Sequence, residues 1–449
     1  MNPLALVLLL VSGIATLAVP RRWAAMPMLI GTCYMTMGQL ITVGPFNFHL
    51  FRILLGFGLL RVALRGEWIK GGTNSIDIMV FAWGLWVVIA GFFHEFTPGS
   101  GPVYALGTVY NTILPYYLFR IWLKSRRDLE SVIIAIAIIL VPIAFAMWLE
   151  VRTVHNPFSV FGGVNAIPII REGRVRASGP FIHPILAGSV GATCLPLMLS
   201  VWKSYRTVSM LGIVACCTMV ISSASSGPMM SLVFGIFALG MWYFRYLTRY
   251  AMQLFIMIYI LLSFIMSRPP YYLLSRIDLT GGSTGWHRSI LIEMFLAHFH
   301  EWWAFGTDVT QHWLPFASGP SPNRTDITNA YIAYAVVAGL PALLLILAIL
   351  WRAFTWIGSM AAARGDIINQ DRYMAWCLGS ALFAHATTMI SVVYFDQSIV
   401  LFWATVAMIA SIHSFNRAHP HVRTREQVSM LPLRYSKERK ALLKNAHAE

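Results

Sequence analysis

Residues 130–150 read ESVIIAIAIILVPIAFAMWLE, an unbroken apolar stretch held between two glutamates. As a helix rising 1.5 Å per residue it reaches about 30 Å, the thickness of a bilayer's hydrocarbon core. Comparable apolar blocks recur along the 449 residues, near 2–19, 24–43, 46–64, 75–94, 102–120, 181–201, 206–225, 227–243, 250–267, 327–351, 373–393 and 396–413. With the first block these make thirteen. Hydrophobic residues are 57% of the chain and charged residues 11%, too little polar surface to cover an ordinary water-exposed domain. Barrel strands are shorter and alternate in polarity, so block length predicts helices. The expectation is an all-α, polytopic integral membrane protein of about 12–13 transmembrane helices. It comprises one helical domain over 1–413 and a basic tail over 414–449.

The first block has no basic residue before it, and Arg21 and Arg22 follow it, which predicts an uncleaved span with its N-terminus outside. From that start the charge rule assigns 24 of the 33 basic residues to inner loops and the tail, among them Arg61, Arg65, Arg120, Arg126, Arg352 and Arg372. The net charge of +15 is then mostly topology. The tail reads as contacting anionic lipid headgroups or as disordered, ahead of any role with nucleic acid. Cys33, Cys194, Cys216, Cys217 and Cys377 lie in apolar blocks without metal-ligand spacing and read as small core residues.

The arginines that break the charge rule carry the functional signal. Arg52 falls inside an apolar block. Arg152, Arg171, Arg174 and Arg176 lie in an outer loop, 151–180, and Arg268, Arg276, Arg288 and Arg324 lie in the longest one, 268–326. Those two loops hold eight arginines and no lysine. Acidic neighbours (Glu172, Asp278, Glu293, Glu301, Asp308, Asp326) are available as partners, which is the plain reading for any single arginine. As a set, forked and permanently charged guanidinium groups suit a diphosphate. Within the longer loop GGSTG, 281–285, predicts a turn opening a short helix over 286–303, lying on or dipping into the outer leaflet. The tract PFASGPSPNRTD, 315–326, predicts a hinge.

Phosphate-binding loops, HExxH, paired Cys-x-x-Cys, Gly-x-Ser-x-Gly and an outer-loop Asp-x-Asp are all missing, which argues against a nucleotide-driven pump and a zinc protease. A secondary transporter would place carboxylates mid-membrane, and these are scarce. His385 reads as a satisfied core group. Residues 222–229, SSASSGPM, separate a pair of apolar blocks with small side chains and read either as a tight turn or as a cavity wall.

Four elements in order give the chain a family likeness: RVRASGPFIHP at 174–184; SSGP at 225–228; GWHR at 285–288 followed by AFG at 304–306; and TNAY at 328–331 followed by GLP at 339–341. Over 174–345 the chain resembles the bacterial O-antigen ligase and O-antigen polymerase superfamily. That resemblance implies a C-type glycosyltransferase fold in the bacterial inner membrane with a periplasmic active face. It also implies transfer of a saccharide from an undecaprenyl-diphosphate donor to an acceptor glycan or glycolipid, with no metal and no cofactor. Other polysaccharide-assembly proteins are further partners it suggests. Arg174, Arg176, Arg276 and Arg288 are then the diphosphate-binding residues, and Arg288, His300 and Asp326 the catalytic ones. The family's ligases carry a His beside the Asn of the fourth element, where this chain has Thr328 and Ala330. The proton acceptor is left among His298, His300, His312, Glu293 and Asp326. A lipid-linked glycan transporter and a non-catalytic assembly component are the alternatives.

Overall fold

The computed structural model describes residues 2–43, 46–94, 101–276, 285–315, 323–362 and 369–418. Most of the GGSTG turn and of the 315–326 tract, Asp278, Arg364 and the basic tail beyond Ala418 lie outside the described residues. The first half runs α1 (Pro3–Ala18), α2 (Ala25–Tyr34), a hairpin of β1 (Leu40–Val43) and β2 (Phe46–His49), α3 (Leu50–Arg65), α4 (Ser75–Gly91), α5 (Gly101–Trp122) and α6 (Arg126–Thr153). A second hairpin, β3 (Ile169–Arg171) with β4 (Arg174–Arg176), leads into α7 (Pro184–Ser200), α8 (Arg206–Ser222), α9 (Ser226–Gly240) and α10 (Ala251–Ile265). The chain closes with α11 (Gly285–Ala297), the short α12 (Phe299–Trp302), α13 (Ala330–Ala362), α14 (Asn369–Thr388) and α15 (Ile399–Ala418).

The thirteen expected spans resolve differently. Among the described residues three helices are long and apolar enough to cross a membrane: 126–153, 226–248 and 330–362. A fourth is counted if 253–265 and 270–276, bent by 82° at their break, are one span. The remaining apolar blocks form helices that are shorter or less apolar. The block at 24–43 gives a 10-residue helix and then a strand, and α7 and α8 are each 17 residues long. A span needs about 20. The polytopic fold class, the multi-pass inner-membrane placement and the periplasmic face are corrected accordingly. The two hairpins also qualify the all-α expectation.

The helices pack extensively: α6 and α7 on α8, α14 on α7 and α9, α4 on α13 and α15 on α5. Several arginines that the charge rule assigned to loops sit in this packing. Arg61 and Arg120 are completely buried. Arg61 forks onto Glu67 at 2.9 and 3.1 Å and donates to the carbonyls of Thr16 and Val19, at the C-terminal end of α1 where cations are favoured. Arg120 pairs with Asp77 at 3.1 Å, and Asp77 also completes the capping box of α4 with Asn74. Arg126 pairs with Glu130 and Asp371. These charges serve packing. Apolar side chains are left uncovered on α1 (Val7, Val11, Ile14), α4 (Ile78, Phe81) and most of α10, where Phe264 is 85% exposed. Exposed apolar surface of this extent marks contact with protein or lipid.

One junction sets the position of the 285–315 segment. Helix α13 breaks at Ala338 and Gly339, where the backbone leaves helical angles. The freed carbonyls find donors: Thr307 N–H reaches Val336 O at 2.9 Å and the Trp86 indole reaches Ala338 O at 2.7 Å, while Leu340 N–H reaches Trp303 O at 2.8 Å. Gly306 (φ +94°) and Gly339 (φ +76°) let the two backbones touch, since a Cβ on either would lie 2.1–2.2 Å from a carbonyl oxygen of the other segment. Two of the sequence elements, AFG and GLP, therefore meet face to face. Placing alanine at Gly339 combines a left-handed backbone angle with a backbone clash, and should cost about 2 kcal/mol or more. The expected outcome is a clearly lower denaturation midpoint for Gly339→Ala and Gly306→Ala. Gly240→Ala, whose Cβ meets nothing, should leave the midpoint within a degree or two of the parent.

Candidate functional site

A cavity of about 380 Å³ opens where the second hairpin, the α8–α9 break, the start of α7, α11 and the approach to α13 converge. The hairpin supplies three arginines. Its two-residue turn has positive φ at Glu172 and Gly173, the geometry that matches strand twist, and pairs Arg171 directly with Arg174. Like charges facing across a hairpin are destabilising by themselves. Arg176, at the inner end, is buried; its Nη2 donates to Ser225 Oγ at 2.6 Å, and Ala177 N–H to Ser222 O at 2.9 Å ties the strand to the helix break. Helix α11 adds Arg288.

The other walls are polar in a particular way. Ser225 is the N-cap of α9, but its hydroxyl donates to Ser223 O and accepts from Arg176, so it makes no cap bond to the first turn. The N-terminal end of a 15-residue helix thus opens at the cavity, an electropositive environment. Ala224 beside it holds φ +44°, an uncommon angle for a side-chain-bearing residue. His183 caps α7 by accepting from Ile185 N–H at 3.2 Å through Nδ1. Thr328 and Asp326 come from the segment before α13, and Ser391, Val392 and Phe395 from the turn after α14.

Four guanidinium groups line this cavity against one carboxylate, Asp326. Burial, and secondarily the charge of Arg171, lowers the proton affinity of both Arg176 and Arg288 below the ordinary arginine value. Two donors are left over among the residues that line this cavity: the buried Arg288 Nε and Thr328 Oγ1 have no hydrogen-bond partner. Buried donors in folded proteins nearly always find acceptors. The arrangement suits an anion with several oxygens.

Of the residues expected from sequence, Arg174, Arg176, Arg288 and Asp326 come together here. Asp326 is exposed at the rim, where its backbone carbonyl meets His287 Nε2 at 3.0 Å. Arg276, itself exposed, ends a 3-10 turn, and His300 has a 78% exposed side chain beside Glu301; neither lines the cavity. Glu293 accepts from the Tyr272 hydroxyl. Asn329 is the cap of α13, accepting from Tyr331 and Ile332 N–H groups. Arg52 Nε donates to Asn111 Oδ1, and His385 is buried against the Tyr394 hydroxyl. Sequence reasoning did not single out His183 or the Ser391–Phe395 wall. The first lies inside the RVRASGPFIHP element; the second carries no signal in an apolar run. Among the described residues one group has metal-binding spacing, His298, Glu301 and His312, and none of the three lines the cavity.

Scans against protein-family models and against curated proteins find no match to this chain. The O-antigen ligase and polymerase likeness therefore rests on four short elements alone, and three or four membrane-length helices do not make the multi-pass bundle that superfamily requires. The expected glycan transferase, with its lipopolysaccharide and exopolysaccharide associations, is corrected on those two grounds, as are the multi-pass transporter and assembly-component alternatives. What stands is an arginine-lined cavity with two unpaired buried donors.

Burial first, and the Arg176 charge second, hold His183 down at about 4 from the ordinary 6.5, so its ring is neutral at pH 7. Between those values the unfolded chain binds a proton that the folded chain refuses. Stability present above pH 6.5 is thus lost as pH falls toward about 4. His183→Asn keeps a helix-capping side chain without the titration, and should flatten that region of the denaturation-midpoint profile. An unchanged profile would place the titrating group elsewhere.

Proposed function

We propose that this chain binds a phosphate- or diphosphate-bearing ligand in the arginine cavity, and that it is an enzyme whose chemistry is the departure of that phosphate or diphosphate as leaving group. The observation that carries this reading is the pair of buried donors, Arg288 Nε and Thr328 Oγ1, left without acceptors in a cavity whose arginines repel one another. A diphosphate oxygen set supplies acceptors to both and offsets the repulsion between Arg171 and Arg174. As a bond to a diphosphate breaks, negative charge grows on the departing oxygens, and fixed guanidinium groups stabilise that charge more than the ground state. The α9 N-terminus adds a partial positive charge in the same place. Asp326, at the rim, is the carboxylate positioned to take a proton from an incoming nucleophile.

Inorganic pyrophosphate is the direct probe. Calorimetric titration of the full chain should show saturable binding that weakens as salt is raised. A charged hydrogen-bond set is worth about 1.5–3 kcal/mol, so Arg288→Ala should weaken binding roughly 10- to 100-fold. Arg276→Ala, outside the cavity, should leave it unchanged. If the parent does not bind pyrophosphate, or if both variants weaken it equally, the assignment of this cavity fails.

A further inference from the structure

The segment that delivers Arg288 to the cavity ends in a cluster that the anion site does not use. His298 follows α11, Glu301 lies in α12, and His312 lies in the 3-10 turn Gln311–Trp313. One ligand atom from each falls within 4.8 Å of the other two, and His312 Nε2 is already 3.0 and 3.1 Å from the two Glu301 oxygens. Two imidazoles and a carboxylate form the donor set of many three-residue zinc sites, with a fourth position left for water.

Two of the three side chains, His298 and Glu301, are held from behind by contacts of the kind a metal site needs. His298 Nδ1 meets the Met294 carbonyl at 2.8 Å, so that nitrogen carries the proton and Nε2 keeps a bare lone pair for the cluster. The Trp313 indole N–H donates to Glu301 Oε2 at 3.0 Å, holding the carboxylate. The same Trp313 stacks on the His298 ring at 5.5 Å and 19°, while His312 meets that ring edge-on at 5.0 Å. Beneath them Trp302 stacks on Phe295 at 4.0 Å, fixing α12 against the end of α11. Ring orientation is therefore set by packing. Ligands of one zinc ion at about 2.0–2.1 Å stand roughly 3.4 Å apart, so the cluster closes by a shift of about an ångström. The half-exposed His312 side chain can supply that shift.

We propose that His298, Glu301 and His312 bind a divalent transition-metal ion of the zinc class, which staples the 311–313 turn to the end of α11. The ion's work is mechanical. It closes the loop between α12 and that turn, in the segment that also carries the Ala304–Gly306 contact with α13. The proposal stands apart from the anion reading, because the two sites have no residue in common.

The test is zinc titration of the full chain against a fluorescent chelator, together with visible absorption of the cobalt(II) form. One equivalent should bind, with the absorption of a four-coordinate nitrogen and oxygen site. His298→Ala and His312→Ala should lose that equivalent, while His155→Ala, an exposed histidine elsewhere, should keep it. Trp313→Phe removes the N–H behind Glu301 together with part of the ring that stacks on His298, and should weaken binding about 10-fold or more. His312 lies at the surface, so its variant should keep the parent's circular dichroism. No stoichiometric zinc in the parent overturns the proposal. So does an equivalent retained by both histidine variants, which would place the ion elsewhere, such as on the tail histidines.

Discussion

Burying a guanidinium group costs several kcal/mol unless hydrogen-bonding partners surround it, and the arrangement of this chain follows from where its arginines find them. Arg61 and Arg120 are completely buried and fully engaged: each meets a carboxylate, and each also reaches carbonyl or hydroxyl oxygens on a second helix. These contacts join α1 to α3, and α4 to α5 and α15. Arg176 has a hydroxyl and a carbonyl but no carboxylate. Arg288 keeps a buried Nε with no acceptor at all. Arg245, outside the cavity, also keeps a buried Nε without an acceptor, so Arg288 is set apart by its place among the four arginines that line the cavity.

The same requirement explains how the cavity is built. Breaking α13 at Ala338 and Gly339 leaves carbonyls without helical donors, and these take N–H groups from the Ala304–Thr307 stretch and from Trp86. Phe305 is then stacked by Trp86 and Phe93, and its carbonyl receives His94. With the segment anchored there, α11 lies on the Pro270–Arg276 turn, and Arg288 lines the same cavity as the hairpin arginines. A backbone defect in one helix thus positions a side chain on another.

Some of this site could be read from residue order. Arg174, Arg176, Arg288 and Asp326 stood out because arginines without lysines are unusual in long polar segments, and they do converge. Arg276, at the end of a 3-10 turn, and His300, in α12, are exposed and lie outside the cavity's lining, a matter of local backbone direction. The Ser391–Phe395 wall was silent, since its residues look like any end of an apolar run. Span counting failed for a related reason. Run length does not register where the backbone turns, and residues 35–49 pass as apolar while folding partly into a hairpin. Likewise α8 and α9 are parted by Ala224 and its two neighbours inside a nearly continuous apolar stretch.

By itself the sequence determined that the chain is helical and apolar, that its exceptional cations are arginines, and which four short elements carry glycine, proline and polar residues at helix ends. These are local properties: propensity, charge and run length act over a few residues. Tertiary structure alone decided which arginines are neutralised, how long each helix runs, and that hairpin, α9 and α11 share one cavity. Each of those depends on partners far apart in the chain, because a buried donor is satisfied or left open by what the fold brings opposite it.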